Sequence, residues 1–125
     1  MIFSALFLAC TGISLTFLPK EIASYINSDV SNPLLILFQV LGALYFAFAM
    51  LNWMAKESVI GGIYTRPIAI ANFTHFFIGG VALIKVLLKE PTLPFVIPVL
   101  AGVYTLFALL FGVILYTSPV RNQQA

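Results

Sequence analysis

The sequence carries very little charge. Only 8% of its 125 residues are charged and 62% are hydrophobic, whereas soluble domains contain about 25% charged residues. The few lysines and arginines are scattered and form no basic run, so a nucleic-acid partner is not expected. A chain of this composition, with a mean hydropathy of +1.09, is typical of a protein whose solvent is the lipid bilayer.

Residues that carry chemistry are also scarce. With one cysteine and one histidine, the chain has no internal disulfide, no CxxC pair, no closed zinc site of the usual ligands and no bis-histidine haem. Its long apolar segments contain no aspartate or glutamate, and it has no phosphate-binding loop or nucleophile motif. These absences disfavour self-contained catalysis, and they leave any cofactor unknown.

The charged residues divide the chain into segments of membrane length. They are Lys20, Glu21, Asp29, Lys56, Glu57, Arg66, Lys85, Lys89, Glu90 and Arg121. A helix needs about 17–25 mainly apolar residues to cross a hydrocarbon core roughly 30 Å thick. The sequence therefore predicts transmembrane helices at about 1–18, 34–55, 67–88 and 93–117. The expected fold class is all-α, a polytopic membrane protein in which residues 1–125 form a single four-helix transmembrane bundle.

Several local signals lie at the ends of these predicted spans. Asn32 followed by Pro33 predicts the N-cap and first turn of the second span. Residues 19–27 have apolar side chains at helical spacing, which predicts a short amphipathic segment along the membrane interface. The connection at 89–92 is short, so the third and fourth spans are expected to be antiparallel neighbours.

The orientation of the chain is only weakly encoded. Its lysines and arginines divide equally between the two sides of the membrane, but three of the four acidic residues fall on one side. That asymmetry favours both termini in the cytoplasm. The first span lacks the cationic start of a signal peptide and is followed by Pro19, so we expect it to remain in the mature protein.

A polar stripe runs along the predicted third helix. Asn72, His75 and Gly79 are three and four residues apart, so they share one face, which we expect to look into the bundle. At a rise of about 1.5 Å per residue, Asn72 lies roughly 8 Å and His75 roughly 12 Å beyond Pro67. Polar groups at this depth are unfavourable in hydrocarbon unless they have a partner or a function.

Two interpretations of this stripe are open. A polar pocket around His75 would bind a small hydrophobic ligand such as a quinone or a lipid, with further polar residues of the second and fourth spans and of the membrane rim around it. The candidate ligand-binding residues are His75, Asn72, Asn52, Trp53, Arg66, Tyr45 and Tyr104. Alternatively, these groups hold helices together, as side-chain hydrogen bonds in membranes commonly do, and Trp53 and Arg66 are interface anchors.

Small residues four positions apart favour close helix approach, within one chain or between protomers. These pairs are Ala5 with Ala9, Ala43 with Ala47, and Ala108 with Gly112. The leading functional prediction is therefore a non-enzymatic bundle that serves as an accessory subunit of a larger membrane complex or as a homo-oligomer. A binder or transporter of a small hydrophobic ligand is the alternative, and an ion or solute pore is a weaker one.

Three stretches of the sequence resemble the DoxX-like small four-helix membrane proteins. They are FLPKEI after the first span, LGALYFAFAMLNWMAKESVIGG around the second and RPIAIANFTHFFIGGVALIK in the third. The resemblance lies in the layout of the spans and implies a bacterial inner-membrane protein. Some members of that group are small membrane subunits associated with quinone-linked respiratory oxidoreductases, so the resemblance also implies an accessory role. It assigns no catalytic residue.

Overall fold

The computed structural model describes residues 1–26, 30–58, 65–90 and 92–117, and within these ranges the chain is helical with no strand. The described helices are α1 (Ile2–Phe17), α2 (Pro19–Ile26), α3 (Asn32–Met54), α4 (Thr65–Lys89) and α5 (Val96–Thr117). A short 3₁₀ helix, Ala55–Glu57, follows α3. The all-α prediction is confirmed.

Three segments are long and apolar enough to cross a membrane: Asn32–Glu57, Thr65–Lys89 and Val96–Thr117. Helices α1 and α2 meet the same test only when taken together, and they are bent by 93° at the break between them. The described chain therefore contains three candidate spans, or four if the bent pair counts as one. The ends of α3, α4 and α5 lie within three residues of the predicted boundaries.

The bend between α1 and α2 follows from the chemistry of two residues. Leu18 leaves the helical conformation, with φ −122° and ψ 40°. Pro19 comes next and, lacking an N–H, could not have continued α1, but it is well suited to the first turn of α2. Helix α2 buries Ala23 and exposes Lys20, so it is amphipathic as predicted. Asn27, the last residue of the predicted segment, lies outside the described residues.

The start of α3 differs by one residue from the prediction. Ser31, not Asn32, is the N-cap, with extended backbone angles of φ −102° and ψ 148°. The reason is that the N–H of Leu35 donates to the carbonyl of Ser31 at 3.2 Å, so the first helical hydrogen bond begins there. Pro33 lies in the first turn, where its missing N–H has no intrahelical partner to lose.

Residues 1–56 form one compact unit, in which α1 packs antiparallel against α3. The two backbones touch where Gly12 meets Gly42. A Cβ atom added to Gly12 would lie 2.8 Å from the carbonyl oxygen of Gly42 and 2.8 Å from the amide nitrogen of Phe46. A Cβ atom on Gly42 would lie 2.7 Å from the carbonyl oxygen of Gly12. The crossing therefore requires glycine on both helices.

The small-residue prediction is only partly matched in this unit. Ala5 is buried on α1, but Ala43 and Ala47 are exposed on α3. The α3 residue that touches α1 is Gly42, one position before the predicted pair. Since one residue turns a helix by about 100°, this difference places Ala43 and Ala47 outside the contact with α1.

Residues 57–125 form the second unit, whose described helices α4 and α5 pack together. Phe73 lies near Gly112, and Gly80 lies near Tyr104, so the helices are antiparallel neighbours as predicted. Phe76 is fully buried between them. Its ring centroid is 4.9 Å from that of Phe107, and this aromatic packing forms the centre of the unit.

Candidate functional site

The structure brings His75 of α4 together with Tyr104 of α5. The Tyr104 hydroxyl is 3.3 Å from Nε2 of His75, and the two ring centroids are 5.5 Å apart. Tyr104 is buried and His75 is partly buried. The hydroxyl donates when Nε2 is the unprotonated nitrogen, and it accepts when Nε2 carries the proton. This His75–Tyr104 pair links the two helices of the second unit.

Gly79 provides the space in which the tyrosine ring lies. A Cβ atom on Gly79 would come within 2.5 Å of Cε1 and 2.8 Å of Cδ1 of Tyr104. A Cβ atom on the neighbouring Gly80 would be 3.6 Å from its nearest atom, which is an ordinary contact. Phe76 completes the surroundings, with its ring edge-on to both His75 and Tyr104 at centroid distances of 5.1 and 5.2 Å. The pair is therefore held by packing as well as by its hydrogen bond.

The other predicted residues of the second unit have different environments. Asn72 is fully buried, and its Nδ2 donates to the carbonyl of Ile68 at 2.8 Å, within its own helix. Arg66 is exposed in the first turn of α4, beside the buried Thr65. Among the described residues, no buried side-chain nitrogen or oxygen lacks a hydrogen-bond partner.

In the first unit, Asn52 forms a polar link between α3 and α1. Its Nδ2 donates to the hydroxyl of Ser4 at 3.3 Å, and that hydroxyl donates to the carbonyl of Met1 at 2.7 Å. Asn52 and Ser4 are both buried, whereas Tyr45 is partly exposed. Ser4 is not among the residues predicted from the sequence. Ser4 could have been predicted as the partner of Asn52 only from the contact of Gly12 with Gly42, because antiparallel helices in that register place residue 4 opposite residues near 50.

Trp53 lies at the end of α3, where it is 46% exposed. The Nζ of Lys56 is 3.8 Å from the centroid of a Trp53 ring. A cation over an exposed aromatic ring stabilises by about 0.5–1 kcal/mol. A tryptophan with a lysine at a helix end is typical of residues that anchor a span at the membrane interface, and this favours the anchor interpretation for Trp53.

The seven candidate ligand-binding residues fall in both units. His75, Asn72, Arg66 and Tyr104 belong to the second unit, and Asn52, Trp53 and Tyr45 belong to the first. Within the second unit, a hydrogen bond joins two of them, His75 and Tyr104. In the described part of the chain, no group of three or more histidine, cysteine, aspartate or glutamate residues could hold a metal ion. A single pocket formed by all seven residues stays a prediction.

The helical, apolar architecture is compatible with a small integral membrane protein. No protein-family model matches the chain, and comparisons with curated proteins and with solved structures give no significant match. The similarity to DoxX-like proteins therefore stays a prediction from the sequence.

Proposed function

We propose that this protein crosses the bilayer four times and serves as a non-enzymatic subunit, of a homo-oligomer or of a larger membrane complex. The observation that supports this role best is that its buried polar side chains bond to the protein itself. His75 pairs with Tyr104, and Asn52 bonds to Ser4. Such internal pairs stabilise helix packing.

The hydroxyl groups of the helices support the same interpretation. Five serine and threonine hydroxyls each donate to the backbone carbonyl four residues earlier. These hydrogen bonds are Thr11 to Phe7, Ser14 to Cys10, Thr16 to Gly12, Thr105 to Ala101 and Thr117 to Val113. This back-bonding satisfies a hydroxyl without help from water. It suits helices that are surrounded by lipid, where an unpaired polar group costs several kcal/mol.

The fourth span in this proposal is α1. Its 16 residues are about 24 Å long, which is shorter than a hydrocarbon core of roughly 30 Å. Local thinning of the bilayer accommodates a mismatch of this size at modest cost. The 93° bend then lays the amphipathic α2 along the membrane surface. The proposed bacterial inner membrane rests on the similarity to DoxX-like proteins, and the cytoplasmic termini rest on the distribution of acidic residues.

A binder of a small hydrophobic ligand, such as a quinone or a lipid, is the second candidate. The observation that favours it is a histidine–tyrosine pair in the middle of an apolar helix pair. Intramembrane ionisable residues commonly mark ligand or proton sites. In that case, replacing His75 with an apolar residue would remove a group that binds the ligand.

The variant His75→Leu distinguishes the two functions. If His75 only holds helices together, the variant keeps the oligomeric state and changes the free energy of unfolding by less than about 1 kcal/mol, since interhelical hydrogen bonds average about 0.6 kcal/mol. Native mass spectrometry of protein released from lipid nanodiscs reports both stoichiometry and retained small molecules. The matched control is Thr74→Leu, which makes a polar-to-leucine change at the adjacent, exposed position of the same helix. A discrete molecule, whether a quinone or a particular lipid, that is retained by the wild type and the control but lost from His75→Leu would establish the binding function instead.

A further inference from the structure

An open apolar groove runs along the seam between α4 and α5, with a volume of about 460 Å³. The rings of Phe73 and Phe77 line it, Gly80 and Gly112 deepen it, Ile84 lies towards one end and Tyr116 towards the other. Neither His75 nor Tyr104 lines this groove, but Phe76, which packs against both, does. Its volume is within the range of about 300–1,000 Å³ that small-molecule sites occupy.

The chemistry of the groove favours a hydrocarbon chain. Apart from Tyr116, the one lining residue with a polar side-chain atom is Thr105, whose hydroxyl donates to the carbonyl of Ala101 at 2.8 Å. Tyr116 is 89% exposed. The body of the groove therefore offers apolar contact rather than the hydrogen bonds that orient a polar ring system such as a quinone head group.

The length of the groove matches one acyl chain of a bilayer lipid. From Phe73 to Ile84 the difference in residue number is 84 − 73 = 11. At about 1.5 Å per residue this distance is roughly 16 Å along α4. Half of a hydrocarbon core roughly 30 Å thick is about 15 Å, so the groove is as long as one leaflet is deep.

Positive charge lies beyond the Ile84 end of the groove. Lys85 and Lys89 are exposed and four residues apart, so they lie on one face of α4. Lys85 is also four residues from Val81, which lines the groove. Glu90 follows Lys89 and is exposed as well, which leaves this helix end with a net charge of +1. A cationic helix end at the membrane surface attracts anionic head groups.

We propose that this groove binds one acyl chain of an anionic phospholipid whose phosphate lies at Lys85 and Lys89. The aromatic walls and the two glycines accept the chain, and the lysines select the charge of the head group. This site goes beyond the proposed subunit function, because it does not involve the His75–Tyr104 pair.

The test is native mass spectrometry of the full chain released from nanodiscs that contain equal amounts of phosphatidylcholine and phosphatidylglycerol with identical acyl chains. The wild type is expected to retain one phosphatidylglycerol in preference to phosphatidylcholine by about fivefold, the effect of the net charge of +1 at this helix end. The double variant Lys85→Gln/Lys89→Gln leaves only Glu90 charged there, so the preference for phosphatidylglycerol should be lost. Leu109 lines the groove and is 65% exposed. In Leu109→Trp the indole should fill the groove, so the bound phosphatidylglycerol should be lost.

The matched control is Leu110→Trp, which makes the same substitution on α5 at an adjacent, 50% exposed position that does not line the groove. This control should retain phosphatidylglycerol as the wild type does. The proposal would be overturned if the wild type and Leu109→Trp each retained phosphatidylglycerol and phosphatidylcholine equally. A dimer that dissociates only in Leu109→Trp would also overturn it, because the occupant would then be a second copy of the chain. The lipid test does not use a variant of His75, so its outcome is independent of the outcome of the His75→Leu experiment.

Discussion

Replacing Gly12 or Gly42 with alanine is expected to destabilise the packing of α1 on α3 more than a methyl group added at any other position of these two helices. In each case the new Cβ atom meets backbone atoms of the opposite helix at 2.7–2.8 Å. Backbone cannot rotate out of the way as a flexible side chain can, so the helices must move apart. We expect a loss of about 1–3 kcal/mol in the free energy of unfolding, as for other overpacked interfaces. Denaturation in mixed micelles, followed by circular dichroism, measures this change.

The matched control for this experiment is Gly102→Ala in α5. Among the described residues, no atom outside its own helix lies within 4 Å of a Cβ atom added there. Alanine is a better helix former than glycine by roughly 0.5–1 kcal/mol, so this variant should be unchanged or slightly more stable. If Gly12→Ala and Gly102→Ala gave the same free energy of unfolding, the close crossing of α1 and α3 would be wrong.

The second large effect is expected at Gly79. In Gly79→Ala the methyl group would overlap the ring of Tyr104, so the ring must turn away and its hydrogen bond with His75 is lost. We expect a destabilisation of about 1–3 kcal/mol. The neighbouring variant Gly80→Ala adds the same methyl group with a nearest contact of 3.6 Å and should be tolerated. Unfolding in mixed micelles compares the two variants directly.

A double-mutant cycle tests whether the effect of Gly79→Ala acts through Tyr104. In the background Tyr104→Ala the ring is gone, so adding Gly79→Ala should cause little further loss of stability. The two changes should therefore be strongly non-additive, as expected for residues in contact. Additive losses, or a Gly79→Ala variant as stable as Gly80→Ala, would show that Tyr104 does not lie against Gly79.

The positions of the helices could be predicted from the sequence because they depend on two local properties. Long apolar segments between charged residues set the ends of α3, α4 and α5. The break after α1 could be located because Pro19 cannot continue a helix. The N-cap of α3 was predicted one residue too late, because Ser31 is as good an N-cap residue as Asn32 and only the first hydrogen bond of the helix decides between them.

The contacts between helices were harder to predict, because a membrane helix is apolar on every side and its sequence does not mark the buried face. On α3, both Gly42 and the pair of Ala43 and Ala47 offer a surface of small residues, and only the packing against Gly12 selects Gly42. The link from Asn52 to Ser4 depends on the same register, so it could not be found before that register was known.

The pairing of His75 with Tyr104 could be predicted as one of several possibilities. The sequence predicts polar residues of the second and fourth spans around His75, Tyr45 and Tyr104 among them. The structure shows why Tyr104 reaches it. Gly79 lies one helical turn beyond His75 and leaves room for the Tyr104 ring. The spacing of His75 and Gly79 is visible in the sequence, but the register of α5 against α4 is not.

The crossing of the membrane by α1 is the central claim, and accessibility of single cysteines tests it most directly. In a Cys10→Ser background, cysteines are placed one at a time at Ile2, Ser24, Ser58 and Thr92, all exposed positions. A membrane-impermeant maleimide is then applied to sealed vesicles of known orientation. Four spans predict that positions 2 and 58 react from one side and positions 24 and 92 from the other. If positions 2 and 24 reacted from the same side, α1 would not cross the bilayer and the four-span account would be contradicted.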